Sequence, residues 1–391
     1  MKPLQHLTIL DLSRVLACPF ASMILAELGA TVIKVEQPGA GDETRGFEPQ
    51  LAQDSAYYFA CNRSKSSITV NLRKPQGQDI IRELAQKVDV VVENFPAGTL
   101  GRYGLDFTML SALNPKLVYV SCTGFGQTGP YAHKKGYDTV FQAMGGLMSL
   151  TGEKGGGPVK PGLPIADLTS GLWVAIGILA MLAGREQTGR GAHLDFSMLD
   201  GQVSLLTLAA ARYFALGEIP PRLGTEHPGR VPSATFRCRD GKFAHITASD
   251  QHWEPLCKAL GLTFDIDLSS NEARVEHRDV VMRRMTEEIS KVERARLLQM
   301  LDEVDVPIGP VNDVAEILAD PHVRARGLVG SFDYAGVGEF KALALPYKFL
   351  GWDNPEIGAP PALGADTESI LAERLGYSKE KIASLKVAKA I

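Results

Sequence analysis

An aspartate opens the longest apolar run of this chain. In PGLPIADLTSGLWVAIGILAMLAGREQTGRG, residues 161–191, Asp167 stands just before a stretch that reads as a helix from about 168 to 183. An Asp there has an ordinary use as an N-cap, where it satisfies free N–H groups and contributes about 1 kcal/mol. It also has a chemical use. A carboxylate is ionised at neutral pH, with a reference pKa of about 3.9. It is a weak nucleophile unless a site positions it and stabilises the charge that develops on the group it attacks. A helix N-terminus offers N–H donors for that purpose, and it stabilises the Asp charge as well.

Basic residues form the second set. Arg73 and Lys74 follow SITVNL, Arg102 follows ENFPAGTLG, and Lys134 and Lys135 precede GYDTVFQAMGG. Each alone reads as a solvated surface charge. Together they sit in loops after strand-like segments, where open α/β sheets bind ligands, and Arg and Lys in that place suit a phosphorylated ligand. GFGQTG, residues 124–129, fits the G-x-G-x-x-G spacing after a strand. Pro130 and Tyr131 do not open an apolar helix, however, and the pattern comes late instead of in the first βα turn. It reads as a tight loop whose backbone approaches a ligand. The eight His are isolated, with no HxH, HExxH or Cys/His cluster, and there is no G-x-S-x-G or Walker A loop. No metal site is expected.

The elements that must position these residues alternate. LTILDLS (7–13), TVIKVEQPG (31–39), SITVNL (67–72), DVVVENF (89–95), KLVYVSCTGFG (116–126) and AHLDFSM (192–198) read as strands or strand-to-turn segments. PFASMILAELGA (19–30) and QGQDIIRELAQKV (76–88) read as helices between them. That alternation predicts an α/β fold with a parallel sheet. One long apolar helix is expected over 199–217, followed by a Pro- and Gly-rich boundary at 218–232. A hairpin around Asp240-Gly241, helices over 251–260 and 279–303, and a short helix after the VPIGP turn make a smaller α+β domain. The expected organisation is 1–217, 218–330 and a C-terminal segment, 331–391, that returns to the first domain and ends in a helix from about 366.

Bulk numbers agree with an ordinary globular protein. For 391 residues, length alone suggests two or three domains. The net charge of −4 does not indicate a nucleic-acid surface or a polybasic membrane anchor. The start is interrupted by Asp11, Ser13 and Arg14 and does not read as a signal peptide. The apolar run Leu172–Ala183 is about half of the roughly 20 residues a membrane span needs. Five scattered cysteines without CxxC spacing point to a reducing compartment, so a cytoplasmic protein is expected.

Longer stretches carry a resemblance. LDLSRVLACPFASMILAELGATVIKVEQPGAGDETR, NRSKSSITVNLRKPQG, VDVVVENFPAGTLGRYGLD, VSCTGFGQTGPYAHKKGYDTVFQAMGGLMSLTG, DLTSGLWVAIGILAML and VPIGPVND together resemble the class III coenzyme A transferases of the CaiB/BaiF type. That family includes formyl-CoA transferase, carnitine CoA-transferase and α-methylacyl-CoA racemase. GYDTVFQAMGGLMSLTG and the short LGTEHPGRVPSATF loop are most similar to dicarboxylate enzymes such as succinate–hydroxymethylglutarate CoA-transferase.

The resemblance implies a Rossmann-like large domain with a smaller one, and an interlocked homodimer. It implies CoA as a substrate with no tightly bound cofactor, and an acyl-CoA (here succinyl-CoA) and a small carboxylic acid as partners. Asp167 falls at the family's nucleophile. Arg73, Arg102 and Lys135 fall where the family contacts CoA. Val70, Asn71, Leu72, Asn94, Phe95, Tyr137 and Asp138 fall along the same surface, and Val15, Leu16 and Ala17 lie at the loop near the reacting thioester. Three departures matter. Leu16 stands where formyl-CoA transferase has Gln, which argues against formyl/oxalate exchange. Gln37 replaces an Arg that contacts CoA. Tyr137 stands where the racemases place an acid/base His, and a phenol with a pKa of about 10 is a poor proton relay at neutral pH. The racemase reading is the alternative. His227 and Arg230, in the loop that replaces a run of glycines, are the candidates for binding the acceptor acid.

Overall fold

Six segments pair into one sheet: β1 (Thr8–Asp11), β2 (Thr31–Glu36), β3 (Ser66–Thr69), β4 (Val90–Glu93), β5 (Val118–Thr123) and β6 (His193–Ser197). The computed structural model describes residues 1–391. The strand order is β3-β2-β1-β4-β5-β6, and each neighbouring pair is parallel. The order reverses between β1 and β4, so the carboxyl ends of these two strands diverge and leave a crevice. β4 (VVVE) and β5 (VYVSCT) are buried at every position, because helices cover both faces of the sheet.

One face carries α1 (Ala17–Glu27) and, packed on it, the long helix over Ile165–Thr188. Ala21, Leu25, Val174 and Ile178 share a core there with Ile9, Val90 and Val118. The other face carries α2 (Pro75–Ala85), whose Ile80, Ile81 and Leu84 pack with Leu10, Ile33 and Val91. The tail completes that second core. Ile370 and Leu371 of the helix Thr367–Leu375, and Ile382 and Leu385 of Lys379–Val387, lie in the same cluster. Asp366 exchanges two hydrogen bonds with the backbone of Ser67 on β3, at 2.8 and 2.9 Å. That pair ties the tail to the sheet edge.

The chain divides into two compact units. The larger is 1–147, 161–211 and 322–391; the smaller is 148–160 and 212–321. The excursion 148–160 has no counterpart in the sequence-based boundaries at 218 and 330. Gly224 N–H donates to Gly152 O at 2.9 Å and Arg222 Nε to Gly156 O at 2.9 Å, which binds the excursion to the start of the smaller unit. The smaller unit holds a three-stranded antiparallel sheet of Ser233–Arg237, Phe243–Thr247 and Ile308–Pro310.

Three expectations need correction. The helix over 199–217 is two helices, Met198–Ser204 and Thr207–Leu216. Leu205 and Leu206 donate to residues three back, Gln202 and Val203, which tightens and ends the first one. The segment 279–303 is likewise split, into Arg278–Ile289 and Arg294–Asp302. VPIGP forms the third strand of the small sheet as well as a turn. A hairpin, Val329–Tyr334 with Gly338–Leu343, precedes the tail helices and places Phe332 and Phe340 against Phe59.

Candidate functional site

Asp167 lies in the first turn of its helix but does not cap it. The helix starts at Ile165 after Pro164, which offers no side-chain cap. The free donors at this end are satisfied from elsewhere. Asp138, at the start of α3 (Asp138–Met144), accepts the N–H of Ala166 at 2.8 Å and of Asp167 at 3.1 Å through one carboxylate oxygen. The long helix over Ile165–Thr188 is α4 hereafter. A carboxylate at a helix N-terminus is stabilised by the aligned peptide dipoles, so the capping task falls to Asp138. The Asp167 carboxylate accepts no hydrogen bond and is half-buried. Burial, and then the charge of Asp138, push its pKa up to about 7. A carboxyl so placed is partly ionised at neutral pH and, once ionised, more basic than an ordinary Asp.

Gly171, one turn after Asp167, determines what α4 meets. A Cβ at this position would lie 2.7 Å from Ala17 O and 2.9 Å from the ring of Phe20. Only glycine lets α4 approach the first turn of α1 this closely. Residues four apart share a helix face, so the contact carries Asp167 to the beginning of α1. That beginning is open. Leu16, the N-cap, has no side-chain cap bond, and the first-turn N–H groups of Ala17 and Cys18 have no carbonyl partner.

The loop into α1 is held from three sides. Val15 has φ of 69°, a left-handed conformation that a β-branched residue adopts at a cost of roughly 1–3 kcal/mol. Lys34 Nζ donates to Ser13 O at 3.0 Å. Asn94 brackets Arg14, accepting its N–H at 2.9 Å and donating to its carbonyl at 2.7 Å. Val15 N–H points at both oxygens of Asp42, at 3.3 Å each. Lys34 and Asp42 form a fully buried ion pair at 2.8 Å. Burial alone would raise the Asp42 carboxyl, but Lys34 and the Thr44 donors outweigh it and hold it below the usual carboxylate range.

A cleft of about 400 Å³ opens outside the carboxyl ends of β1, β2 and β3. Leu12, Arg14, Gln37, Phe95 and Tyr103 line it, together with the run Val70, Asn71, Leu72 and Arg73. The Arg14 guanidinium lies 4.9 Å over the Phe95 ring and 3.0 Å from Glu43. Arg73 is exposed and has no ion pair, and its N–H is held by Asn71 Oδ1 at 3.1 Å. Arg14 links the two parts of the site, because the chain passes from the cleft wall directly into Val15, Leu16 and Ala17.

The sequence matches CoA-transferase family III over residues 4–367. The chain belongs to that family. The succinyl-CoA:glutarate CoA-transferase of Mus musculus is 38% identical over 389 residues, which span 98% of this chain and 89% of that protein. The succinate–glutarate CoA-transferase of Agrobacterium fabrum is 41% identical over 336 residues, 83% of this chain and 84% of that one. A crystal structure of a CaiB/BaiF family protein from Brucella suis superposes with a TM-score of 0.87 at 39% identity, covering 95% of this chain and 99% of that one. The protein is therefore a CoA-transferase by family, with a mixed α/β fold built on a parallel six-stranded sheet.

The remaining predicted residues of the transferase lie around this centre or apart from it. Arg102 is exposed and donates to Thr99 Oγ1 at 3.4 Å, and Thr99 lines the cleft. Lys135 is exposed without an ion pair, next to Lys134, whose Nζ lies 3.8 Å over Tyr131. Tyr137 is 82% exposed, immediately before α3. The GFGQTG loop is tied to the sheet, since Gln127 N–H donates to both oxygens of Asp195 at 3.0 Å. His227 and Arg230 belong to the smaller unit. His227 Nδ1 accepts the Gly229 N–H at 3.1 Å, Arg278 holds the carbonyls of His227 and Pro228 at 3.0 and 2.7 Å, and Arg230 is exposed. Sequence reasoning missed Asp42, Lys34 and Gly171. It also placed Asn94 and Asp138 on a ligand surface without their backbone bonds. No local pattern marks these, because each partner is 8 to 154 positions away.

Proposed function

We propose that the protein transfers CoA from succinyl-CoA to a dicarboxylic acid, with Asp167 as the nucleophile. The observation that carries this reading is the unpartnered, half-buried Asp167 carboxylate beside the open first turn of α1. The sequence similarity to succinyl-CoA:glutarate and succinate–glutarate CoA-transferases supports the choice of substrates.

The steps balance without any other reactant. A carboxylate oxygen of Asp167 attacks the thioester carbonyl, and the developing oxyanion is met by the N–H groups of Ala17 and Cys18. The C–S bond breaks, giving a succinyl-aspartyl anhydride and CoA thiolate. The thiolate attacks the aspartyl carbonyl and expels succinate, leaving an aspartyl-CoA thioester. The acceptor carboxylate attacks that thioester, the thiolate leaves again, and a second anhydride forms. Thiolate attack on its acceptor-derived carbonyl yields the new acyl-CoA and restores the Asp167 carboxylate. Proton transfer at the α-carbon plays no part, in keeping with a phenol at residue 137.

Val70, Asn71, Leu72, Arg73 and Phe95 of the cleft hold CoA in this reading. Arg102 and Lys135 meet its phosphates from the rim, and His227 and Arg230 serve the acceptor acid. The strand order supports a Rossmann-like description of the larger unit. A second copy of the chain covers the apolar face of α4, where Leu172, Trp173 and Ile176 are 46%, 42% and 55% exposed although the opposite face is core. The length and mean hydropathy of 1.9 of this helix would suffice for a membrane span, but its packing on α1 and the sheet supports a core role. Five buried, unpaired thiols support a cytosolic setting.

The test is mass spectrometry of the acyl-CoA pool after incubation with succinyl-CoA and a panel of free acids that includes glutarate. A new dicarboxyl-CoA with the wild type, and none with Asp167→Ala, is the expected result. Undiminished transfer by Asp167→Ala, or no new thioester from any acid, overturns the reading.

A further inference from the structure

Four consecutive backbone polar groups (Ser13 C=O, Arg14 N–H, Arg14 C=O and Val15 N–H) are all bonded to side chains, from β2, the loop after it and the end of β4. Secondary structure would normally satisfy such groups. Here Lys34, Asp42 and Asn94 do so, and each is itself fixed. Lys34 and Asp42 are fully buried against each other. Asp42 further accepts Thr44 N–H at 2.9 Å and Thr44 Oγ1 at 2.8 Å, and its own N–H donates to Glu36 Oε2 at 3.0 Å. Asn94 follows directly on β4, a fully buried strand.

We propose that Asn94 and the Lys34–Asp42 pair are positioning residues: they hold Val15 in its left-handed conformation and so aim the first turn of α1 at the acyl carbonyl that Asp167 attacks. The inference rests on the CoA-transfer reading of the site. Val15 does not adopt φ of 69° on its own account, since its branched Cβ crowds the backbone in that region. Such a conformation persists only where the surroundings over-determine it. The residue after it is the N-cap of α1, so a change of φ at Val15 swings Ala17 and Cys18 and their free N–H groups. Asn94 is well occupied in this task, because its amide oxygen and nitrogen both engage the backbone of Arg14.

Glycine separates this role from direct ligand contact. It enters the left-handed region about as readily as the right-handed one, so Val15→Gly removes the need for a clamp. Asn94→Ala is expected to lower kcat for transfer by roughly 10- to 100-fold, the scale of a misplacement near 1 Å, with KM for succinyl-CoA changed less than about twofold. Asn94→Ala should cost far less in a Val15→Gly background than in the wild-type background, whatever Val15→Gly does alone, and that narrowing of the loss is the rescue. Asn94→Gln, which keeps the amide but displaces it by a methylene, should behave like Asn94→Ala and guards against a truncation that fails to fold. The proposal is overturned if Val15→Gly rescues neither variant. It is equally overturned if the Asn94 variants raise KM at unchanged kcat, the signature of a lost ligand contact. Wild-type protein measured alongside separates the two readings. Absence of transfer there fails the functional assignment, whereas wild-type transfer without rescue fails only the clamp.

Discussion

The two helices that meet at Gly171 begin in opposite ways. At α4 the first-turn donors are taken by the Asp138 carboxylate, and the helix presents a free carboxylate of its own, Asp167. At α1 no side chain caps the helix, and the first-turn donors are themselves free. One end has been given an acid and relieved of its hydrogen-bonding demand, while the other keeps that demand open. In the proposed reaction, an attacking carboxylate and a hole for the oxyanion it creates need this asymmetry. Had Asp167 capped its own helix, its charge would be stabilised by the dipole and its basicity lost. The difference also explains why two carboxylates, which repel, are kept together: Asp138 raises the Asp167 pKa while drawing its own stabilisation from the helix.

The largest expected effect comes from separating the two ends without touching either. Gly171→Ala places a methyl 2.7 Å from Ala17 O, so the helices must move apart by several tenths of an ångström or more. Transfer should fall by about 100-fold, and thermal stability should drop by roughly 1–3 kcal/mol for the overpacked contact. Melting curves and steady-state rates on the same preparation check both. Full activity would show that the close approach of α4 to α1 has no bearing on catalysis.

Neutralising the cap has a smaller effect, of a different kind. Asp138→Asn keeps an oxygen for the Ala166 N–H but removes the charge beside Asp167. The Asp167 pKa, held near 7 by burial and then by that charge, should fall. In the proposed reaction, the acid limb of kcat/KM against pH should therefore shift to lower pH, and the less basic Asp167 should attack roughly three- to tenfold more slowly on the plateau. An unmoved acid limb would mean that the two carboxyl groups do not sense each other.

How far these relations could be read from the sequence depends on their reach along the chain. Continuous apolar runs such as VVVE and VYVSC declared buried parallel strands, and PFASMILAELGA declared α1 to within about three residues. Asp167 was legible because the motif that carries it is contiguous. Its place in the helix was misjudged, because a nearby carboxylate is a natural cap and nothing local shows that Asp138, 29 positions earlier, takes that task. The breaks at Leu205 and between Ile289 and Arg294 were hidden because leucine, lysine and glutamate are all at home in helices; backbone bonds to residues three back, from Leu205 and Leu206 and from Lys291 and Val292, close the first helix of each pair. Val15 is the extreme case. Its residue type argues against φ above zero, and three partners from 19 to 79 positions away impose it.

The smallest expected effect tests what the exposed chemistry of Asp167 costs the fold. Its pKa is about 7 in the folded protein against 3.8 as the reference for an unfolded chain. Between those values the folded state binds more protons than the unfolded one, so this group makes stability fall as pH rises from about 4 through 7. At pH 8 the wild type carries the full penalty, and at pH 4 it carries little. Asp167→Asn has the same shape and no charge to bury. It should melt a few degrees above wild type at pH 8, a modest shift because the group is only half-buried and the chain is long. The gap should close toward pH 4. Calorimetry at both pH values gives the answer. A pH-independent difference would trace the change to packing instead of charge, and α4 would then begin with an ordinary aspartate, not one held ready for attack.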